Sequence, residues 1–167
     1  MAELMPQERL QPALLDRLTD EQPEKKLETR EERVITKTRL RQAVLRDLTW
    51  LMNATRLGSS QDFSGCSLAE RSVINFGLPS LSGETASSLD VIELERSLKQ
   101  AILDFEPRII ASTLNLETIV SDSQLDRHNI ISVQIRGHLW AQPIPLELLL
   151  RTEVDLETGK VEVRDLG

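Results

Sequence analysis

An acidic amphipathic segment from Ser87 to Phe105 runs directly into Glu106-Pro107-Arg108, and that tripeptide constrains the fold more than any other stretch. Val91, Leu94, Leu98, Ala101, Ile102 and Phe105 recur at three- and four-residue steps, which lays one apolar stripe along a helix. Ser87 reads as the N-cap, with Asp90 close by to favour the positive helix end. A residue before proline is pushed out of the α region, so the helix is predicted to end near Phe105 with Glu106 already extended. Arg108 to Leu116 then reads as a strand. Residues two apart in an extended segment point the same way, so Glu106 and Arg108 are expected to project together from a helix–strand corner.

The rest of the chain supplies the partners for that helix. Arg33 to about Asn53 is the clearest second helix, with Leu40, Val44, Leu48, Leu51 and Thr55 on one face and Leu45 and Met52 widening it. Its other faces carry Arg33, Lys37, Arg39, Arg41 and Arg46 against one acid, Asp47. This is either a solvated face or an electrostatic seat for an acidic partner, with Arg39 and Arg46 as its candidate contacts. Arg56–Gly65 reads as a loop. Ser67-Leu68-Ala69-Glu70 fits a capping box opening a short helix to about Asn75, which Gly77 and Pro79 end. After a polar connection, Ile131, Val133, Ile135, Gly137 and Leu139 alternate with polar residues as a half-buried strand. Pro143 and Pro145 break it, Leu146 to Val154 forms the next strand, and Asp155–Gly159 turns into Lys160–Arg164. Helices followed by strands indicate α+β: two or three helices on one face of a small, mainly antiparallel sheet of three to four strands.

Residues 1–32 differ from the remainder. They hold nine acids and five bases, and Thr19–Glu32 reads as a solvated linker. The chain is therefore expected to be a flexible charged tail (1–32) and one domain (33–167), long enough at about 135 residues to bury a core without staples. Within the tail, Leu10, Leu14, Leu15 and Leu18 form an amphipathic patch. It either folds back on the domain or docks its leucines, Leu14, Leu15 and Leu18 among them, in a partner's groove.

Composition and motifs exclude most chemistry. Cys66 is alone, so no internal disulfide forms, and the N-terminus lacks the basic and apolar regions of a signal peptide. No apolar run approaches the roughly 18 residues that span a bilayer. A cytoplasmic protein without membrane insertion is expected. The net charge of −7 and the scarcity of aromatics argue against a nucleic-acid partner. Cys66, His128 and His138 lack metal-ligand spacing, and neither a nucleophile elbow nor a phosphate loop is present, so no metal and no cofactor are expected. A glycosidase needs two carboxylates, and only Glu106 stands out, beside an arginine that would hold it ionised. Recognition remains, through the Glu106–Arg108 corner and through free sheet edges able to pair with a partner's extended segment.

The residues also carry a family resemblance. Leu48-Thr49-Trp50-Leu51-Met52-Asn53-Ala54-Thr55-Arg56, the block Ser72 to Gly83 containing Asn75-Phe76-Gly77-Leu78-Pro79, and Glu106-Pro107-Arg108 resemble the TssE subunits of bacterial type VI secretion systems. Those subunits fall in the lysozyme-like baseplate-wedge family of contractile-tailed phages. Met52, Ala54, Phe76 and Ser80 depart from its usual residues. The resemblance implies a structural protein of the cytoplasmic, inner-membrane-docked baseplate, beside TssF and TssG, with TssK in the same assembly. It implies contact with the first ring of sheath subunits (TssB/TssC), whose strands the sheet would accept, so starting sheath polymerisation. It also places Glu106 and Arg108 at an intersubunit contact, with Pro107 holding the corner. A peptidoglycan-cleaving muramidase, or the equivalent subunit of a phage or other contractile particle, are the alternatives.

Overall fold

The computed structural model describes residues 13–19, 23–24, 36–80, 90–119, 130–141 and 144–167. Its helices are α1 (Leu14–Leu18), α2 (Lys37–Asn53), α3 (Ser67–Glu70) and α4 (Val91–Phe105). They precede four strands, β1 (Asn115–Ile119), β2 (Ile130–Leu139), β3 (Leu146–Asp155) and β4 (Val161–Asp165). The strands form one antiparallel sheet in chain order, β1-β2-β3-β4. The fold is α+β. The expected tail over residues 1–32 falls largely outside the described residues.

The two long helices pack on one side of the sheet because their apolar stripes match its inward parity. Leu40, Val44, Leu48 and Leu51 of α2 and Leu94, Leu98, Ala101 and Ile102 of α4 share a core with Val133, Ile135, Leu148, Leu150 and Val154. Thr152 is the polar member of that layer, and its hydroxyl donates to the Val133 carbonyl at 3.1 Å, which satisfies it.

Several boundaries differ from those read in the sequence. Helix α4 starts at Val91, capped by Asp90, whose carboxylate accepts from Ile92 and Glu93 amides at 2.9 and 3.2 Å. The expected cap Ser87 lies outside the described residues. Thr36 caps α2, accepting the Arg39 amide at 3.2 Å. The expected capping box at Ser67 is not formed: Cys66 holds the N-cap position without a side-chain bond, and α3 stops at Glu70. Ser72 then caps a separate 3-10 turn over Val73–Asn75. Gly77 adopts φ +122°, and a Cβ there would collide with the Ala54 carbonyl, so this close approach requires glycine.

The largest correction concerns the strand expected from Arg108 to Leu116. Pro107 and Arg108 instead form a turn, closed by the Ile109 amide on the Glu106 carbonyl at 3.2 Å, and Ile109 alone bridges to Leu139 at the end of β2: Trp140 donates to the Arg108 carbonyl at 2.7 Å and Ile110 to that of His138 at 2.8 Å. A 3-10 turn, Ala111–Thr113, then follows, and β1 begins only at Asn115. Thr113 causes the break. Its hydroxyl donates to the Ile110 carbonyl at 2.7 Å and accepts the His138 amide at 2.9 Å, so a side chain takes the place of a ladder bond.

Candidate functional site

The corner after α4 is built as the proline demands. Glu106 leaves the helix at φ −121°, ψ 75°, while its amide closes the last turn on Ile102 at 2.8 Å. Its carboxylate turns inward instead of projecting from the corner, and the residue is 3 % exposed. This corrects the expectation of an acid and a base displayed side by side. Arg108 folds back over it: Nε meets Oε1 at 2.6 Å and NH2 meets Oε2 at 2.5 Å, a bidentate fork. The Arg108 amide also donates to Oε1, at 3.2 Å.

Arg108 extends the contact to α2, where NH2 reaches Asp47 Oδ2 at 2.6 Å. The other Asp47 oxygen accepts from Arg46 Nε at 2.8 Å, and Arg46 NH1 reaches Asp16 of α1 at 2.7 Å. The Arg46 guanidinium lies over the Trp50 ring, 5.2 Å from its centre. Glu106, Arg108, Asp47, Arg46 and Asp16 thus form one chain of alternating charge linking α4, α2 and α1. Burial lowers the Arg108 pKa, but the hydrogen bonds and charges of Glu106 and Asp47 outweigh it, and the net shift is upward. For Arg46 the bond to Asp16 is the main cause of an upward shift.

Beside this clasp lies a groove of about 510 Å³, floored by Leu48, Leu51, Phe76 and Phe105 and edged by Trp50, Pro107 and Ala13. The two phenylalanines meet edge to face at 5.3 Å. Trp50 is 53 % exposed. The other tryptophan, Trp140, is also half exposed, and its amide bonds the Arg108 carbonyl. Trp50 thus lines the groove, whereas Trp140 meets the corner through its backbone, and both residues are about half exposed.

The remaining candidate residues separate. α1 faces the domain with Asp16, leaving Leu14 and Leu18 71 % and 73 % exposed and Leu15 43 %. Leu10, of the same patch, lies outside the described residues. Arg46 belongs to the clasp, whereas Arg39 is exposed near the start of α2, away from it. Arg41, counted in the same basic face, binds Asp165 of β4 through Nε and NH2 at 2.5 and 2.6 Å. Two of the five bases of that face, Arg41 and Arg46, are thus paired within the protein. Asp47, Asp16, Trp50, Phe76 and Phe105 complete the site and were not singled out in the sequence. The signal for Asp47 was its position as the one acid on a basic helix.

Among the described residues, no group of three His, Cys, Asp or Glu gathers as for a metal ion, and Cys66 is a free, exposed thiol. Among the described residues, no helix is long and apolar enough to cross a membrane.

The model of one protein family, baseplate wedge protein gp25, matches residues 38–144. The chain belongs to the gp25 baseplate-wedge family. This is also the family of TssE, and it is a structural one, of the baseplates of contractile systems. The gp25 match runs from the second residue of α2 through the corner and β2, and so contains the clasp except Asp16. No curated protein and no solved structure matches the chain significantly.

Proposed function

We propose that the chain is the TssE-type subunit of a type VI secretion baseplate, joining the TssF–TssG wedge, with TssK in the assembly, to the first TssB/TssC sheath ring. It would act at the cytoplasmic, inner-membrane-docked baseplate. The observation that carries the wedge half is the corner: an internally closed clasp beside an apolar groove edged by the half-exposed Trp50. Because Glu106 is spent on Arg108, affinity comes from the groove, Trp50 and the free edges of Pro107 and Arg108 more than from displayed charge. Glu106 is a positioning residue. A muramidase gains no support here, since Glu106 is buried and both of its carboxylate oxygens are held by Arg108.

The sheath half rests on the strand edges. At β1 the Thr118 amide is already taken by Glu95 of α4, at 2.7 Å, with the Thr118 hydroxyl at 2.6 Å from the same oxygen. At β4, Asn53 of α2 clamps both backbone groups of Val161, at 2.8 and 3.0 Å. Alternation then puts the backbone groups of Val163 and Asp165 on the same outward side, beyond the clamp. β4 is therefore the edge assigned to the incoming sheath strand.

Two variants test the two halves. Trp50→Ala, with its thermal midpoint checked, is expected to lose co-purification with TssF–TssG; undiminished capture would remove the groove from the interface. Val163→Pro is expected to keep wedge capture and stop sheath assembly, because its N–H is outside the ladder but needed by an added strand. Normal sheath assembly by that variant would exclude the β4 edge.

A further inference from the structure

The sheet face turned away from the helices carries side chains that neither the corner nor the strand edges use. Register places Gln134, Arg151 and Arg164 in one row across β2, β3 and β4, with Arg136 and Leu149 in the next. Arg151 is thus directly opposite Arg164 and diagonal to Arg136. Like charges opposed on neighbouring strands work against folding. In a chain of 27 acids and 20 lysines and arginines, three arginines at the centre of one face need a reason.

Their partners inside the protein are incomplete. Arg164 has Glu153 at 3.3 Å and Glu162 at 3.0 Å. Arg136 donates only to the Gln134 side-chain oxygen, at 3.0 Å. No carboxylate among the described residues pairs with Arg136 or Arg151, and the Arg151 Nε is shielded from water with no acceptor. The other acids of this face stand at its rim: Glu117 beside Gln134 and Glu147 beside His138. Glu153 and Glu162 are engaged by Arg164, so Arg136 and Arg151 are the cations of this face without a carboxylate partner among the described residues.

We propose that Arg136 and Arg151 form a docking site for an acidic protein segment bearing two carboxylates one helical turn apart. The spacing supports this occupant. Diagonal positions on an antiparallel pair lie about 7 Å apart, and carboxylates at i and i+4 of a helix lie about 6 Å apart. Each guanidinium then donates to one carboxylate through its solvent-facing N–H groups. The rim acids and the net charge of −7 repel a continuous run of phosphates, so nucleic acid is the poorer fit.

The test uses the full chain and a fluorescein-labelled, alanine-rich helical peptide with two Glu at i and i+4, followed by anisotropy at low ionic strength. Saturable binding is expected, weakened about tenfold or more by R136Q/R151Q. The same binding should be weakened by added salt and unchanged by Arg96→Gln on α4. The double variant should melt at or above the wild-type temperature, since a like-charge opposition is relieved. No saturable binding, equal binding of a Gln-for-Glu peptide, or unchanged affinity in the double variant would overturn the proposal. So would a lowered melting temperature, which would make these arginines supports of the sheet, or tighter binding of a single-stranded oligonucleotide.

Discussion

Arg108 is the residue on which the corner turns, because it alone touches both Glu106 and Asp47. Removing it leaves a shielded Glu106 carboxylate facing Asp47 without a cation. Arg108→Ala should therefore destabilise the protein by about 2 to 3 kcal/mol in urea titrations, since breaking a buried pair costs more than the pair contributes. Arg108→Lys should recover only part, as an ammonium cannot occupy both Glu106 oxygens in one plane. A neutral effect of both changes would mean that the clasp is incidental. It follows that loss of wedge binding in an Arg108 variant is ambiguous, and Trp50→Ala is the cleaner probe. Sequence spacing found this residue and its neighbour but reversed the direction of Glu106. Period-two reasoning gives relative orientation within a strand and says nothing about which way a corner is turned against the core.

Among the elements, α1 is the weakest and the most informative. Five residues cannot sustain a helix alone, yet α1 rests on the domain through the Asp16–Arg46 ion pair, with its leucines facing out. Asp16→Ala should abolish the slow hydrogen exchange of the Arg17 and Thr19 amides, which bond Ala13 and Leu15 carbonyls. Global stability should move by less than about 1 kcal/mol, as for other partly exposed pairs. Protection unchanged at those amides would show that something other than Asp16 holds α1. The long elements were readable because their apolar periods run for ten residues or more, as in α2, α4, β2 and β3. Boundaries and short elements are less legible where side chains compete with the backbone: Thr113 replaces a strand by a turn, and Asp90 takes the cap expected of Ser87. The clasp itself was half visible. Glu106, Arg108 and Arg46 were named from local patterns, whereas Asp47 and Asp16 join them across 61 and 30 residues, distances no local pattern spans.

For the whole molecule, the Arg41–Asp165 pair fastens the second helix to the last strand. The Arg41 hydrogen bond lowers the Asp165 pKa from 3.8, so the folded protein holds that proton less tightly than the unfolded chain. The contribution is complete above the unfolded value and disappears as pH falls through the lower, folded one. The thermal midpoint of Asp165→Asn should lie below wild type at neutral pH and converge with it as acid is added below 3.8. A constant difference at all pH values would exclude this linkage. The same fastening has a temporal meaning. Asn53 meets Val161 across 108 residues and Arg41 meets Asp165 across 124, so both grips close only once the final strand has left the ribosome. A half-made chain thus has no finished β4 border, and under the sheath role proposed above it has no edge on which a tube would start.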